Sequence, residues 1–183
     1  MDTEQGLIRK IQNKGDRAAA DALVRGYYDE IYRFMRRQIA DGDTALDLTQ
    51  EVFISVLRSI SRYDPKKGAG FRTWLYKIAT DKTIDYFRSR NPRHVVFLPI
   101  DEVSPIDETS FTQRLEARDF LLRVCDFVNT LPPDTQKIFR LHIFGSHTFT
   151  EIARLMDMPE GSVKTKYYRL IHRLRKEFAD DGP

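Results

Sequence analysis

The sequence predicts an all-α protein of two small helical domains joined by an extended acidic linker, the C-terminal one carrying a helix-turn-helix. Three observations predict it. Apolar residues recur at three- and four-residue spacing through most of the chain, the period of a helix with one buried face. The apolar–polar alternation of a half-buried strand is missing. Residues 94–113 hold Pro99, Pro105 and four acids without sustained periodicity, which divides the chain into 1–93, a linker at 94–113, and 114–183.

The first expected helix runs from Arg17 to Ile39. Asp16 is placed to cap it, and Leu23, Tyr27, Ile31, Phe34 and Met35 form one apolar stripe. Asp41-Gly42-Asp43 breaks it, and a second helix follows from about Thr44 to Ile60, burying Ala45, Leu48, Val52 and Val56. Pro65, Gly68 and Gly70 keep the segment from Tyr63 to Gly70 out of any helix. Periodicity resumes at Phe71 with Trp74, Leu75, Ile78 and Ala79, and stops at Asn91-Pro92.

Beyond the linker, a helix from Arg114 to about Asn129 uses Leu115, Leu121, Leu122, Cys125 and Val128. Leu131-Pro132-Pro133 interrupts it. Pro133 suits the first turn of the next helix, which reaches Phe144 and ends at Gly145. Thr148-Phe149-Thr150-Glu151 reads as a capping box opening a short helix with Ile152, Ala153, Leu155 and Met156 apolar. Asp157-Met158-Pro159 turns the chain into a last helix that begins at Pro159 or Glu160 and runs towards Phe178. Its inward face is Val163, Tyr167, Leu170, Ile171 and Leu174; Lys164, Thr165, Tyr168, Arg169 and His172 point away. Small Ala153 lets the two helices approach closely. A short helix, a tight turn and a second helix with a basic outer face is the arrangement that enters a DNA major groove.

Charge supports that reading. The net charge of the 183 residues is +3, but residues 1–93 carry 18 basic and 13 acidic side chains, and residues 94–113 four acids and no Lys or Arg. Residues 114–183 carry 12 basic and 10 acidic, with six basic residues and no acid between Gly161 and Lys176. Two basic blocks about an acidic strip point to two polyanion-binding surfaces.

Other classes fit less well. No apolar run approaches the roughly 20 residues that cross a bilayer, and Met1–Lys14 lacks the apolar core of a secretory signal. Cys125 is the only cysteine, so no disulfide forms within the chain, and a reducing, cytoplasmic location is expected. Asp81 and Asp85 at i, i+4 lack the third ligand a nuclease metal needs. His142, His147 and Cys125 follow no compact zinc spacing. The expectation is therefore a protein without catalytic residues, metal or cofactor. A regulator that reads duplex operators through its C-terminal domain is the alternative. It leaves the segments from Asp47 to Phe53 and from Arg72 to Arg93 unexplained.

Those segments carry a family resemblance. Asp47-Leu48-Thr49-Gln50-Glu51-Val52-Phe53, Tyr63-Asp64-Pro65, Phe71 to Ala79 and Ile84-Asp85-Tyr86-Phe87-Arg88 lie in the first half. Leu131-Pro132-Pro133, the Thr148–Met156 helix and Gly161 to Lys166 lie in the second. In this order and at this spacing the chain resembles the extracytoplasmic-function group of the sigma-70 family. The resemblance implies a factor that directs bacterial core RNA polymerase to promoters and assists their melting. It implies that Asp47, Gln50 and Glu51 dock on the polymerase. Lys66, Lys67, Phe71, Arg72, Trp74, Lys77, Asp81 and Arg88 would serve the single-stranded −10 element. Aromatic faces and basic side chains suit unstacked bases and their backbone. Several of these aromatics, Trp74 above all, are expected to shape the pocket from the core. Lys164, Thr165, Lys166, Tyr168, Arg169 and Arg173 would meet the duplex −35 element. The acidic linker would thread the polymerase cleft, and an anti-sigma factor is an expected partner, with no membrane insertion.

Asp81 departs from the family pattern, which often has Asn there. An amide can donate a hydrogen bond and a carboxylate cannot. Two readings stand: Asp81 accepts a hydrogen bond from a base, or Lys77, Asp81 and Asp85 form an exposed i, i+4 charge ladder. The loop from Lys66 to Gly70 is also slightly longer than the commonest form.

Overall fold

The computed structural model describes the backbone of residues 3–65, 70–89 and 108–179, and the side chains of all of these except 108–116. The helices are α1 (Glu4–Lys14), α2 (Arg17–Arg36), α3 (Gly42–Ser59), α4 (Phe71–Ser89), α5 (Glu108–Asn129), α6 (Pro133–Ile143), α7 (Phe149–Met156) and α8 (Glu160–Glu177), with a 3-10 turn at Ile60–Arg62. No strand occurs among the described residues.

Local chemistry sets the ends. Asp16 accepts a hydrogen bond from the Ala19 N–H and Asp41 one from the Thr44 N–H, each satisfying a free donor in a first turn. Helix α1, absent from the sequence reading, is capped by Thr3 and stopped by Gly15, whose φ of 60° suits a residue without a side chain. Gln12 pins α1 to the 3-10 turn by donating to the carbonyls of Ile60 (2.8 Å) and Tyr63 (2.9 Å). Helix α5 starts at Glu108 rather than Arg114, so the acidic linker is shorter than expected. No breaker follows Pro105, and an acidic residue type is favoured at a helix start.

Helices α2, α3 and α4 pack in sequence around Ile31, Phe34, Met35, Val52, Val56 and Leu75, each at most 1% exposed. Helices α6, α7 and α8 pack around Ile138, Leu141, Ile152, Val163 and Leu170, each at most 2% exposed. The capping box at Thr148 forms as expected: its hydroxyl receives the Glu151 N–H at 3.2 Å and its own N–H reaches the Glu151 carboxylate at 2.8 Å. Thr148→Ala should destabilise the chain by about 1 kcal/mol, read as a lowered thermal midpoint.

The two halves are not merely strung together. Helix α4 lies directly against α6 and α7, and the apolar core runs continuously from one half into the other. The junction also buries polar side chains: Gln38, Arg140 and His147 are at most 2% exposed.

Candidate nucleic-acid interface

The outer face of α8 is built as the sequence suggested. Val163 and Leu170 anchor the helix in the core, which leaves Lys164, Thr165, Tyr168, Arg169 and His172 exposed, Tyr168 by 61%. The Asp157 backbone, in the left-handed region at φ 52°, makes the turn before α8. The angle of α8 is held by rings. His142 on α6 stacks on Phe149 at 4.4 Å and meets Tyr167 at 4.8 Å, while Phe149 and Tyr167 stand 5.1 Å apart. Lys164 pairs with Glu160 at 2.6 Å, which raises its pKa through that hydrogen bond and charge. Glu160 in turn accepts from Thr150 on α7 at 2.8 Å. Thr165 donates to the Gly161 carbonyl at 2.8 Å. Lys166 is half-buried, and the Arg173 guanidinium lies 5.5 Å over the Phe127 ring.

The residues expected at the −10 element sort into three groups. Lys66 and Lys67 lie outside the described residues. Phe71 is 2% exposed, wedged between Tyr27 and Tyr63 at 5.5 Å each, so its ring offers no face to a base. In this conformation it forms a wall of the loop's base. Trp74, half-buried, leans on Tyr63 at 5.2 Å and Phe71 at 5.7 Å and braces the same wall. The third group is polar. Arg72 pairs with Glu30 at 2.6 Å and lies 4.7 Å over the Tyr76 ring. Arg88 pairs with Asp85 at 2.8 Å in solvent. Lys77 is half-buried in the lining of a cavity of about 230 Å³ between α4 and α6, shared with Thr80, Lys137 and Met156. Asp81 is turned to another helix in this conformation. It pairs with Lys137 on α6 at 2.7 Å, and Asp85 turns to Arg88, so no Lys77–Asp81–Asp85 ladder forms.

On α3, Asp47, Gln50 and Glu51 are exposed together, and Glu51 pairs with Lys82 at 3.0 Å. Beside them on α3 are three exposed large apolar residues, Leu46 (37%), Ile54 (49%) and Leu57 (37%). The sequence reading missed this stripe. Its signal was a second apolar series at 46, 54 and 57, outside the buried stripe of Leu48, Val52 and Val56. An exposed apolar series with charges beside it is the kind of surface that suits a partner.

The residues considered for zinc are used in packing. His142 Nδ1 bonds the His147 carbonyl at 2.8 Å, and burial pushes the Cys125 thiol up to about 11. Among the described residues no group of three or more His, Cys, Asp and Glu is placed to hold a metal, and no helix is long and apolar enough to cross a membrane.

His147 sits beneath α7 against the Tyr76 ring at 4.9 Å, with neither ring nitrogen hydrogen-bonded and the Glu151 carboxylate 3.9 Å away. Burial first, and Arg72 second, lower its pKa. The unfolded chain therefore takes up a proton, near pH 6.5, before the folded one does, and folding stability falls as pH drops through that value. The thermal midpoint should fall more between pH 7.5 and 5.5 in the natural chain than in His147→Phe.

The comparisons with known proteins agree with this geometry. The family model for Sigma-70 region 2 matches residues 23–93, and that for Sigma-70 region 4 matches residues 122–174. The chain is 30% identical to the ECF RNA polymerase sigma factor BldN of Streptomyces coelicolor, over 99% of this chain and 69% of that protein. It is 29% identical to the ECF RNA polymerase sigma factor SigW of Bacillus subtilis, over 91% of this chain and 92% of that one. Among solved structures, CnrH in complex with the cytosolic domain of CnrY shares the fold, with a TM-score of 0.64, 18% identity and coverage of 96% of this chain and 97% of that one. A surface helix carrying basic and aromatic side chains, an exposed apolar series on α3 and two sigma-70 regions in the right order lead to one conclusion: this chain belongs to the extracytoplasmic-function sigma factors of the sigma-70 family.

Proposed function

We propose that this sigma factor divides promoter recognition between its halves, residues 1–93 engaging core polymerase and the −10 element and residues 114–183 the −35 element. The observation that carries this reading is the outer face of α8, where Lys164, Thr165, Tyr168 and Arg169 stand exposed on a helix held by buried Val163 and Leu170. Arg169 or Lys164 reads guanine edges, and Lys166 and Arg173 hold phosphates. On α4, Arg72, Lys77 and Arg88 supply charge for the single strand, while Phe71 and Trp74 support the loop that begins at Asp64. Asp81 meets the −10 element once its pairing with Lys137 is released. Asp47, Gln50 and Glu51, with Leu46, Ile54 and Leu57 beside them, form the polymerase-docking face. The protein works without catalytic residues or a cofactor of its own, in the cytoplasm beside the polymerase. An anti-sigma factor is the further partner we propose. The solved structure of RpoE from Bartonella quintana, with a TM-score of 0.55 and 18% identity over 88% of this chain and 98% of that one, is a complex with the anti-sigma factor NepR.

Reconstitution tests the reading. The protein with core polymerase should select a set of promoters from a genomic library and give run-off transcripts from them, and the protein alone should give none. Selective duplex binding of equal strength with and without polymerase would favour the operator-reading regulator instead.

A further inference from the structure

The cavity of about 230 Å³ beside α4 and α6 holds polar groups that the fold itself leaves unused. Thr80 on α4 lines it and is 1% exposed, yet its hydroxyl has no hydrogen-bond partner among the described residues. Other threonines buried in mid-helix are satisfied: Thr49 donates to the Ala45 carbonyl at 2.7 Å and Thr83 to the Ala79 carbonyl at 2.9 Å. A buried hydroxyl left unpaired carries its full desolvation cost. A group that supplied the missing bond would be favoured here.

Uncommitted charges of both signs share the same space. Lys77 comes from α4, Asp134 from the first turn of α6 and Asp157 from the end of α7. None of these three side chains is in an ion pair among the described residues. A fourth charge in the lining, Lys137, is taken by Asp81 at 2.7 Å. Leu141, Leu155 and Met156 add apolar surface.

This lining selects its occupant. A simple anion would face the Asp134 and Asp157 carboxylates, and a simple cation the Lys77 ammonium, each as a like charge. A molecule that carries both charges and an apolar body satisfies every group at once. The volume limits its size, since it is below the roughly 300–1,000 Å³ of sites for drug-sized ligands.

We propose that this cavity binds a free α-amino acid with an apolar side chain. The ligand carboxylate meets Lys77 and accepts a hydrogen bond from the Thr80 hydroxyl. Its ammonium meets Asp134 and Asp157, and its side chain lies against Leu141, Leu155 and Met156. The site belongs to the free chain, so it stands apart from the promoter roles proposed above.

Isothermal titration calorimetry on the free, full-length protein tests it, with L-leucine, L-methionine and L-phenylalanine as probes at millimolar concentration. At least one should bind at a single site and raise the thermal midpoint. The same molecule without its ammonium (isocaproate in the case of leucine) should bind about tenfold more weakly, the difference that one charge-assisted contact brings. Thr80→Val keeps the shape of the side chain and removes the unpaired hydroxyl. It should raise the thermal midpoint of the ligand-free protein and lower amino-acid affinity by about tenfold. A side chain with a purely structural role would give the first change without the second. Asp157→Asn removes a charge and suits the left-handed backbone at φ 52°. It should weaken amino-acid binding and leave binding of the ammonium-free analogue no weaker than before. The absence of both heat and a midpoint shift with all three amino acids overturns the proposal. So does an ammonium-free analogue that binds as tightly as its amino acid, or binding that neither substitution weakens.

Discussion

Reversing the charge of the α3 docking face, Asp47→Lys with Glu51→Lys, is expected to weaken binding to core polymerase by about a hundredfold or more. Like charges brought together across an interface cost several kcal/mol, and each 1.4 kcal/mol or so is tenfold in Kd. The fold should survive, because both side chains are exposed and the buried face of α3 is untouched. The change also removes the Glu51–Lys82 bridge at 3.0 Å, but a surface pair of this kind is worth only about 0–1 kcal/mol. The measurement is a titration of core polymerase with labelled protein, beside a circular dichroism spectrum and a thermal melt. Undiminished affinity with an unchanged spectrum would remove this face from the polymerase interface. Ile54→Ser provides an independent check on the apolar stripe, since 49% exposure means the folded chain gains little from that side chain until something covers it.

The second large effect is expected at the upstream element. Arg169→Ala should lower discrimination between a correct −35 element and one mutated at the contacted base by about 1–3 kcal/mol. General affinity should fall less, because the remaining basic residues of α8 still meet phosphates. The pattern separates the roles: loss of a base-reading residue flattens preference at one position, whereas loss of a phosphate contact weakens all sequences alike and reduces salt dependence. Lys166→Ala supplies the comparison. Competition binding by the reconstituted holoenzyme against a panel of −35 variants measures both, and an Arg169→Ala profile that parallels that of Lys166→Ala would assign Arg169 to the backbone.

What the sequence made legible were the features written in local code. Asp16, Asp41-Gly42-Asp43, Pro133 and the Thr148–Glu151 box mark helix ends through their own side chains, and those ends stand within a few residues of expectation. The recognition face of α8 was legible for the same reason, since one buried stripe fixes which residues point outward. Non-local features were hidden. Helix α1 carries few apolar residues, and its anchor is a polar side chain, Gln12, reaching carbonyls 48 and 51 residues away. Gln38, Arg140 and His147 belong to residue types that ordinarily sit at the surface, so nothing in their spacing announced a junction between the halves. Phe71 was ambiguous in the sequence: an aromatic beside a basic loop is equally good as a wall and as a contact, and its burial is a property of the packed chain. Asp81 was ambiguous because its partner lies on another helix, 56 residues along the chain.

The position of Cys125 bears on how such a protein receives signals. Its thiol is 1% exposed and raised to about 11 by burial, so at neutral pH roughly one molecule in ten thousand carries the reactive thiolate. Peroxide, glutathione and nitrosating agents all require that thiolate within reach. Because no other cysteine exists in the sequence and burial keeps this thiol protonated, the folded chain offers little reactive thiolate to an oxidant.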